Sequence, residues 1–292
     1  MDYFLYSGCS LDASASHYMI SLEAVCKALG AHLKDIEDWN CCGASIAYIG
    51  GNEMQQIVLN ARNLALAEKQ GGMDIIAPCS SCYIMMNKYN RELQENPALL
   101  AKVNGILAEG GLSYSGGLKV RHILDVLYND IGVDKIKGQL RKPLTGVKVA
   151  SYYGCQTTRP FGEYDSMESP TTQDELLAAL GAEVVPFDKK VKCCGSGLFL
   201  TEIELCARLA DDIIGNAKDH GAEVISTACP MCQMNLEVYQ PRISKILGKE
   251  IKMPVVFITQ LMAVALGLDP KKDAALDRNI VAPESVLRAA AA

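Results

Sequence analysis

Ten of the twelve cysteines in this 292-residue chain fall into two sets that copy each other. In the first, Cys9 is followed after 31 intervening residues by Cys41-Cys42, and after 36 more by Cys79-Ser80-Ser81-Cys82. In the second, Cys155 is followed after 37 residues by Cys193-Cys194, and after 34 by Cys229-Pro230-Met231-Cys232. Corresponding cysteines lie 146 to 152 positions apart, half the chain length. The flanks repeat as well. Tyr6-Ser7-Gly8-Cys9 is echoed by Tyr153-Gly154-Cys155, Leu29-Gly30-Ala31 by Leu180-Gly181-Ala182, and a glycine (Gly43, Gly195) follows each cysteine pair. The period is far above the roughly 20–50 residues of solenoid repeats, so it predicts two similar domains side by side. The domains are expected over 1–140 and 146–270, with a polar Gly- and Pro-containing boundary at 138–146. The charged, then Ala-rich, stretch 271–292 reads as a loosely attached tail.

Each half shows the same order of elements. A short strand (4–6; 147–153) leads into the first cysteine, and a helix follows (19–29; 173–180), closed by glycine. A second strand (32–36; 183–187) precedes the cysteine pair. A longer helix (54–69; 202–218) then leads to a buried strand (74–77; 223–226) that delivers the Cys-x-x-Cys. Alternating strands and helices predict parallel α/β units, here two Rossmann-like domains from an internal duplication. Ligands of such sheets collect at the carboxyl ends of strands, where Cys9, Cys79, Cys155 and Cys229 are expected. The glycine-rich stretch 105–117 reads as a flexible loop.

Composition narrows the functions. With 28 Lys+Arg against 34 Asp+Glu the net charge is −6, which argues against a primary nucleic-acid role. The start of the chain lacks the basic-then-apolar pattern of a signal peptide, and the apolar run 255–268 is too short to span a bilayer. A cytoplasmic setting is therefore expected, where clustered cysteines serve as metal ligands or catalytic thiols rather than disulfides. No Gly-x-Gly-x-x-Gly follows a strand, and no closely spaced four-cysteine ferredoxin run occurs. The chain has no visible electron inlet of its own and is expected to work as one subunit of a larger assembly.

Two residues between paired cysteines let both sulfurs face one site. With a neighbouring Cys-Cys-Gly and one distant cysteine, each half offers five thiolates. Tetrahedral zinc takes four, and so does a cubane iron–sulfur cluster, so the fifth is surplus under either reading. Adjacent cysteines can share one site only at a turn, which the following glycine permits.

The pattern Cys–x31–Cys-Cys-Gly–x36–Cys-x-x-Cys, repeated as Cys–x37–Cys-Cys-Gly–x34–Cys-x-x-Cys, resembles the duplicated cysteine-rich CCG domain. A chain of this size resembles the B subunit of heterodisulfide reductase and its relatives in the heterodisulfide-reductase-like complexes of sulfur-oxidising microbes. The resemblance implies two noncubane [4Fe-4S] clusters, each held by five cysteines. Cys9, Cys41, Cys42, Cys79 and Cys82 would hold one; Cys155, Cys193, Cys194, Cys229 and Cys232 would hold the other. It also implies a small sulfur-containing substrate between the clusters, with a ferredoxin-like cluster subunit and a flavin subunit as partners. Neither a nucleic-acid partner nor a direct membrane span is implied.

One position departs from the methanogen pattern. Where those subunits commonly carry a histidine suited to proton donation, this chain has Gln156, and an amide cannot supply a proton near neutral pH. Arg159 is a candidate for an anionic substrate group, or else a loop arginine paired with Glu163 or Asp165. These features place sulfur chemistry in the oxidising direction first among the expectations. A disulfide reductase, an electron-relay subunit of an organic-acid or membrane-linked oxidoreductase, and a structural zinc protein follow. Cys26 and Cys206 read as core packing, as do Met85, Met86 and Met231. Ser80 and Ser81 read as donors to cluster sulfur or as small turn residues. His17, His32, His122 and His220 lack metal spacing and are expected at the surface or at caps.

Overall fold

A computed structural model describes residues 1–44 and 50–291. The first half contains β1 (Asp2–Leu5), α1 (Ser16–Leu29), β2 (His32–Asp35), α2 (Glu53–Lys69), β3 (Ile75–Ile76), α3 (Ser80–Glu95), α4 (Pro97–Leu107) and β4 (Val120–Arg121). The second contains β5 (Lys148–Ser151), α5 (Thr172–Ala179), β6 (Glu183–Val184), α6 (Ile203–Asp219), β7 (Val224–Thr227), α7 (Gln240–Leu247), β8 (Val255–Phe257), α8 (Ile258–Ala265) and α9 (Glu284–Ala291).

Local chemistry accounts for these elements. Tyr18, Leu22, Val25, Cys26 and Leu29 recur on one face of α1 and are buried, the spacing of an amphipathic helix. Gly30, at φ 77°, turns the chain out of α1 and donates to the Lys27 carbonyl. Asn52 caps α2 by accepting from the Met54 amide at 2.8 Å. Ile75 and Ile76 of β3 are both fully buried, as a central parallel strand covered on both faces requires.

All strand pairs are parallel, and the two sheets have the same order, β2-β1-β3-β4 and β6-β5-β7-β8. In this order the chain moves outward to opposite sides from β1 and β3, or from β5 and β7. The crevice beyond their carboxyl ends is the switch point where α/β sheets bind ligands. Cys9 and Cys79 follow β1 and β3; Cys155 and Cys229 follow β5 and β7. The α/β class and its duplication thus stand as the sequence predicts.

One hydrophobic cluster runs across both halves, and a second, smaller one lies within the second half. Tyr18 of α1 stacks on Phe257 at the end of β8, with ring centroids 4.0 Å apart. Ser21 of α1 and Thr259 of α8 hydrogen-bond at 2.7 Å.

Several elements differ from expectation. β4 and β8 complete the sheets but are too short to register as periodic runs in the sequence. β6 ends at Val184 rather than near 187. Part of 105–117 belongs to α4, and Asn104 fastens the rest by pairing both amide and carbonyl of Tyr114, at 2.8 and 2.9 Å. The stretch 271–291 is packed rather than loose. Ala274, Leu276 and Val286 are buried, the amide of Gln260 donates to the Ala274 carbonyl, and Glu237 accepts from Asn279 and from the Val281 amide. The structural counterpart of Tyr6 is Tyr152 rather than Tyr153, because each donates its hydroxyl to the carbonyl that precedes its cysteine pair.

Candidate metal centre

Each first cysteine follows a strand, Cys9 in a short helix (Gly8–Asp12) after β1 and Cys155 at the start of a turn after β5. Gly8 (φ 65°) and Gly154 (φ 75°) adopt left-handed backbone immediately before Cys9 and Cys155, a conformation that favours glycine. A second constraint acts at the same place. A Cβ on Gly8 would lie 2.9 Å from the Cys82 sulfur, and one on Gly154 would lie 2.9 Å from the Cys232 sulfur. Both glycines therefore make room for the last thiol of their own half.

The cysteine pairs are held by matching anchors. Tyr6 donates its hydroxyl to the Asn40 carbonyl, 2.7 Å away, and Tyr152 donates to the Lys192 carbonyl at 2.6 Å. The carbonyls of the second cysteines are also held: Asn60 donates to Cys42 O at 2.9 Å and Asn235 to Cys194 O at 2.6 Å. The Cys206 thiol donates to Asn235 Oδ1 at 3.1 Å. Cys206 thus supports the amide that fixes a proposed ligand, besides filling core; Cys26 is buried in α1.

The thiols themselves converge. Cys42 and Cys82 sulfurs are 3.5 Å apart, and Cys194 and Cys232 sulfurs 3.8 Å. Cys9 neighbours Cys41, Cys155 neighbours Cys193, and Cys79 neighbours Cys229 across the two halves, each pair close enough to shift the other's titration. Cys42, Cys79, Cys82, Cys194, Cys229 and Cys232 are buried, whereas Cys9 and Cys193 are exposed at the rim. Each half therefore has a buried floor and an open edge.

Neighbouring thiols polarise one another. Donation from Cys42, then from Cys9, pulls the Cys41 thiol well below the ordinary thiol range. Cys193 is drawn down to about 6, chiefly by donation from Cys155. Cys229 is lowered by donation from Cys232 and Cys79, against the opposing effect of burial. The same contacts push the partner thiols Cys9, Cys155, Cys79 and Cys232 up, so the protons are shared unevenly within the thiol sets.

Among the described residues, no three His, Cys, Asp or Glu side chains converge on a point suited to a single ion. The donor set of each half is all sulfur, the chemistry that iron–sulfur clusters require. When bound, such clusters would supply one-electron chemistry to the crevice.

Other candidate residues fall in different places. Gln156 lies at the crevice, its Oε1 accepting from Ser81 Oγ at 2.6 Å, a contact that joins the two halves. Arg159 points to its own loop, pairing with Glu168 at 2.9 Å and donating to the Met167 carbonyl at 3.0 Å. It thus pairs with neither Glu163 nor Asp165. His122, expected at the surface or a cap, is a fully buried cap: its Nδ1 accepts from the Leu124 amide. His17 is also buried, while His220 pairs with Asp188 at 3.9 Å.

Comparison with known proteins agrees with this geometry. The model of the cysteine-rich domain CCG matches residues 3–87 and again 149–237, so the fold and site define a duplicated cysteine-rich domain. The chain belongs to the CCG family and carries two copies of its domain. It is 36% identical, over 96% of its length and 97% of the relative, to the 8-methylmenaquinol:fumarate reductase membrane anchor subunit of Wolinella succinogenes. It is 33% identical to a protein of Archaeoglobus profundus described as like the B subunit of heterodisulfide reductase, over 94% of this chain and 93% of the relative. It is 32% identical to the B subunit of a ferredoxin/F(420)H(2)-dependent CoB-CoM heterodisulfide reductase of Methanosarcina acetivorans, over 81% and 79%. A hypothetical protein of Helicobacter pylori shares the fold at a TM-score of 0.76 with 16% identity, covering 95% of this chain and 51% of that one. Among the described residues no helix is long and apolar enough to cross a membrane. The chain is an iron–sulfur redox subunit of the kind found in oxidoreductase complexes.

Proposed function

We propose that this chain is the paired-cluster subunit of a membrane-linked oxidoreductase complex, exchanging electrons singly with partner subunits and in pairs with a quinone-type carrier between its halves. Cys9, Cys41, Cys42, Cys79 and Cys82 hold one noncubane [4Fe-4S] cluster, and Cys155, Cys193, Cys194, Cys229 and Cys232 the other. The observation that supports this reading is the closeness of the Cys79 and Cys229 thiols across the two halves, since clusters held by these two sets would face one crevice. A quinone taking two electrons also takes two protons, and each centre supplies one electron. The relative from Wolinella, similar over nearly the full length of both chains, supports the quinone and organic-acid setting. A ferredoxin-like cluster subunit and a flavin subunit remain the expected partners.

A second reading keeps the same site and changes its occupant to a disulfide or thiol. The relatives named for heterodisulfide reductase favour it, and sulfur oxidation would be the same chemistry reversed. Mixing the anaerobically purified, cluster-loaded and reduced chain with menadione or with a disulfide separates the two. Re-oxidation of the clusters by menadione with one menadiol formed per two electrons supports the quinone reading. Re-oxidation by the disulfide alone replaces it with the sulfur reading.

A further inference from the structure

The two cysteine sets match in most respects that govern how readily a thiolate-held centre takes an electron. In each set one cysteine is exposed and one half-buried, Cys9 and Cys41 in the first, Cys193 and Cys155 in the second. The remaining three of each set are buried. The Gly43 amide donates to the Cys41 sulfur at 3.5 Å, and the Gly195 amide to the Cys193 sulfur at 3.4 Å. A serine hydroxyl neighbours each set, Ser10 beside Cys9 and Ser196 beside Cys194. Solvent exposure and hydrogen bonding to sulfur are therefore balanced between the halves.

Fixed charge is not balanced. Tyr6 holds the Asn40 carbonyl as Tyr152 holds that of Lys192, so Asn40 and Lys192 occupy one position of the repeat. Counting back from them, Glu37 matches Lys189 and Asp38 matches Lys190. On the long helices α2 and α6, Arg62 and Asp212 each lie ten residues after the N-cap. In the first half Arg62 pairs with Asp38 and leaves Glu37 outside the pair. In the second half the signs are exchanged, and Asp212 pairs with Lys189 at 3.3 Å and with Lys192. Lys190 is neutralised by Asp174 at 2.6 Å. Asp188 lies on the loop of the lysines and Asp12 just after Cys9, so each half carries one further carboxylate and the contrast stands. Glu37 and Lys189 each precede a cysteine pair by four residues, which keeps them within about 15 Å of it. The Lys189 and Lys192 side chains are only 30% and 38% exposed, which limits screening by salt.

We propose that this exchange of charge makes the second-half centre easier to reduce than the first-half centre, so that the first of two electrons is held in the second half. The proposal rests on the reading of each cysteine set as the seat of a one-electron cluster. Gaining an electron adds negative charge, which nearby lysines stabilise and carboxylates oppose. Electrons that arrive singly from a partner and leave in pairs must be stored, and unequal centres fix where the first one waits. No bond or proton changes in that step: the partner loses one electron and the second-half centre gains it.

Potentiometric titration of the full, cluster-loaded chain, followed by electron paramagnetic resonance, tests this without any substrate. Two one-electron midpoints are expected. Cys42→Ala and Cys194→Ala, each keeping one centre, assign them, with the higher midpoint expected in Cys42→Ala. Lys189→Glu is expected to lower the reduced-to-oxidised ratio of the second centre at fixed potential at least ~3-fold, or ~28 mV for one electron. Glu37→Lys is expected to raise that ratio for the first centre by as much, and each exchange leaves the other centre unmoved. Iron assays show whether a variant keeps its centres; where Lys189→Glu loses iron, Glu37→Lys in the other half decides. Equal midpoints in the wild type, a higher midpoint in the first half, or midpoints that neither exchange moves would overturn the proposal. A gap that follows the charges, in a chain inert toward menadione and disulfide, would remove the reading of the crevice's occupant and leave the proposal standing. A titration without one-electron waves would overturn both.

Discussion

The Tyr18 hydroxyl lies 3.1 Å from the carbonyl oxygen of Ala228, in the other half of the chain. The Pro78 carbonyl lies 3.3 Å from the same hydroxyl. These two carbonyls belong to the turns that carry Cys79 and Cys229, so one buried phenol ties both Cys-x-x-Cys turns together. Tyr18→Phe keeps the stack on Phe257 and removes this tie. It is expected to cost about 1–2 kcal/mol, because two buried carbonyls lose their donor. Urea unfolding of variant and wild type measures the loss, and an unchanged midpoint would show that the tie adds nothing.

Gly8→Ala and Gly154→Ala should each disturb one half. Either methyl would meet a ligand sulfur at 2.9 Å on backbone that disfavours alanine. Each variant is expected to lose about half of roughly eight irons per chain, the count expected for two four-iron clusters. Iron and acid-labile sulfide assays decide it; full iron in both variants would remove the steric argument.

The cysteines outside the repeat should behave differently from those within it. Cys42→Ala and Cys194→Ala are expected to abolish one cluster each. Cys26→Ala should keep full iron and cost on the order of 1 kcal/mol in packing. Cys206→Ala removes the donor to Asn235, so a small change in the second cluster's resonance is expected at full iron content. Iron loss in Cys26→Ala equal to that in Cys42→Ala would redraw the ligand sets.

Gln156 accepts from Ser81, so Gln156→His introduces a titratable ring at the crevice itself. The wild-type chain is expected to reduce the coenzyme M–coenzyme B heterodisulfide weakly, and Gln156→His to raise that rate. A general acid is typically worth ~10²–10⁴-fold. Robust wild-type turnover that the substitution leaves unchanged would defeat the expectation.

His17 is expected to contribute to the acid sensitivity of the fold, as is the buried His122. Burial, with a smaller contribution from Arg278, lowers the pKa of His17 from 6.5 to about 4, and its Nε2 has no partner. The folded state thus favours the neutral ring. This stability is fully present above pH 6.5 and is lost as pH falls through about 4. The full difference amounts to about 3 kcal/mol. His17→Leu should therefore lose less stability than wild type between pH 7 and pH 4, measured by urea midpoints. An identical decline in both proteins would place the sensitivity elsewhere.

Much of the site was legible because cysteine spacing survives in the sequence wherever the thiols meet in space. The position of Cys9 and Cys79 just beyond strand ends followed from strand–helix alternation, whereas the switch point needed the strand order. The supporting groups were harder to read. Asn60 and Asn235 look like ordinary polar residues on helices, and only their burial reveals that they hold cysteine carbonyls. Tyr152 and Tyr153 are adjacent, and their roles separate only once Tyr152 is seen holding Lys192. His122 has no metal-like neighbour in sequence; its partners come from positions 80 and 164, which folding alone brings together. The tail misled because its alanines, set among charges, resemble solvent-facing helix, whereas Asn279 and the Val281 amide secure it to a buried carboxylate.

His122 and Phe257 hold matching positions, since Ile76 pairs with Arg121 as Ser226 pairs with Val256 in the other half, and the exchange bears on ancestry. A homodimer of single-copy chains carries every substitution twice, on both sides of its axis. Joining the copies in one chain lifts that constraint. One half can then keep a phenyl ring at a position where the other carries an imidazole, a difference that a symmetric pair of identical chains cannot encode.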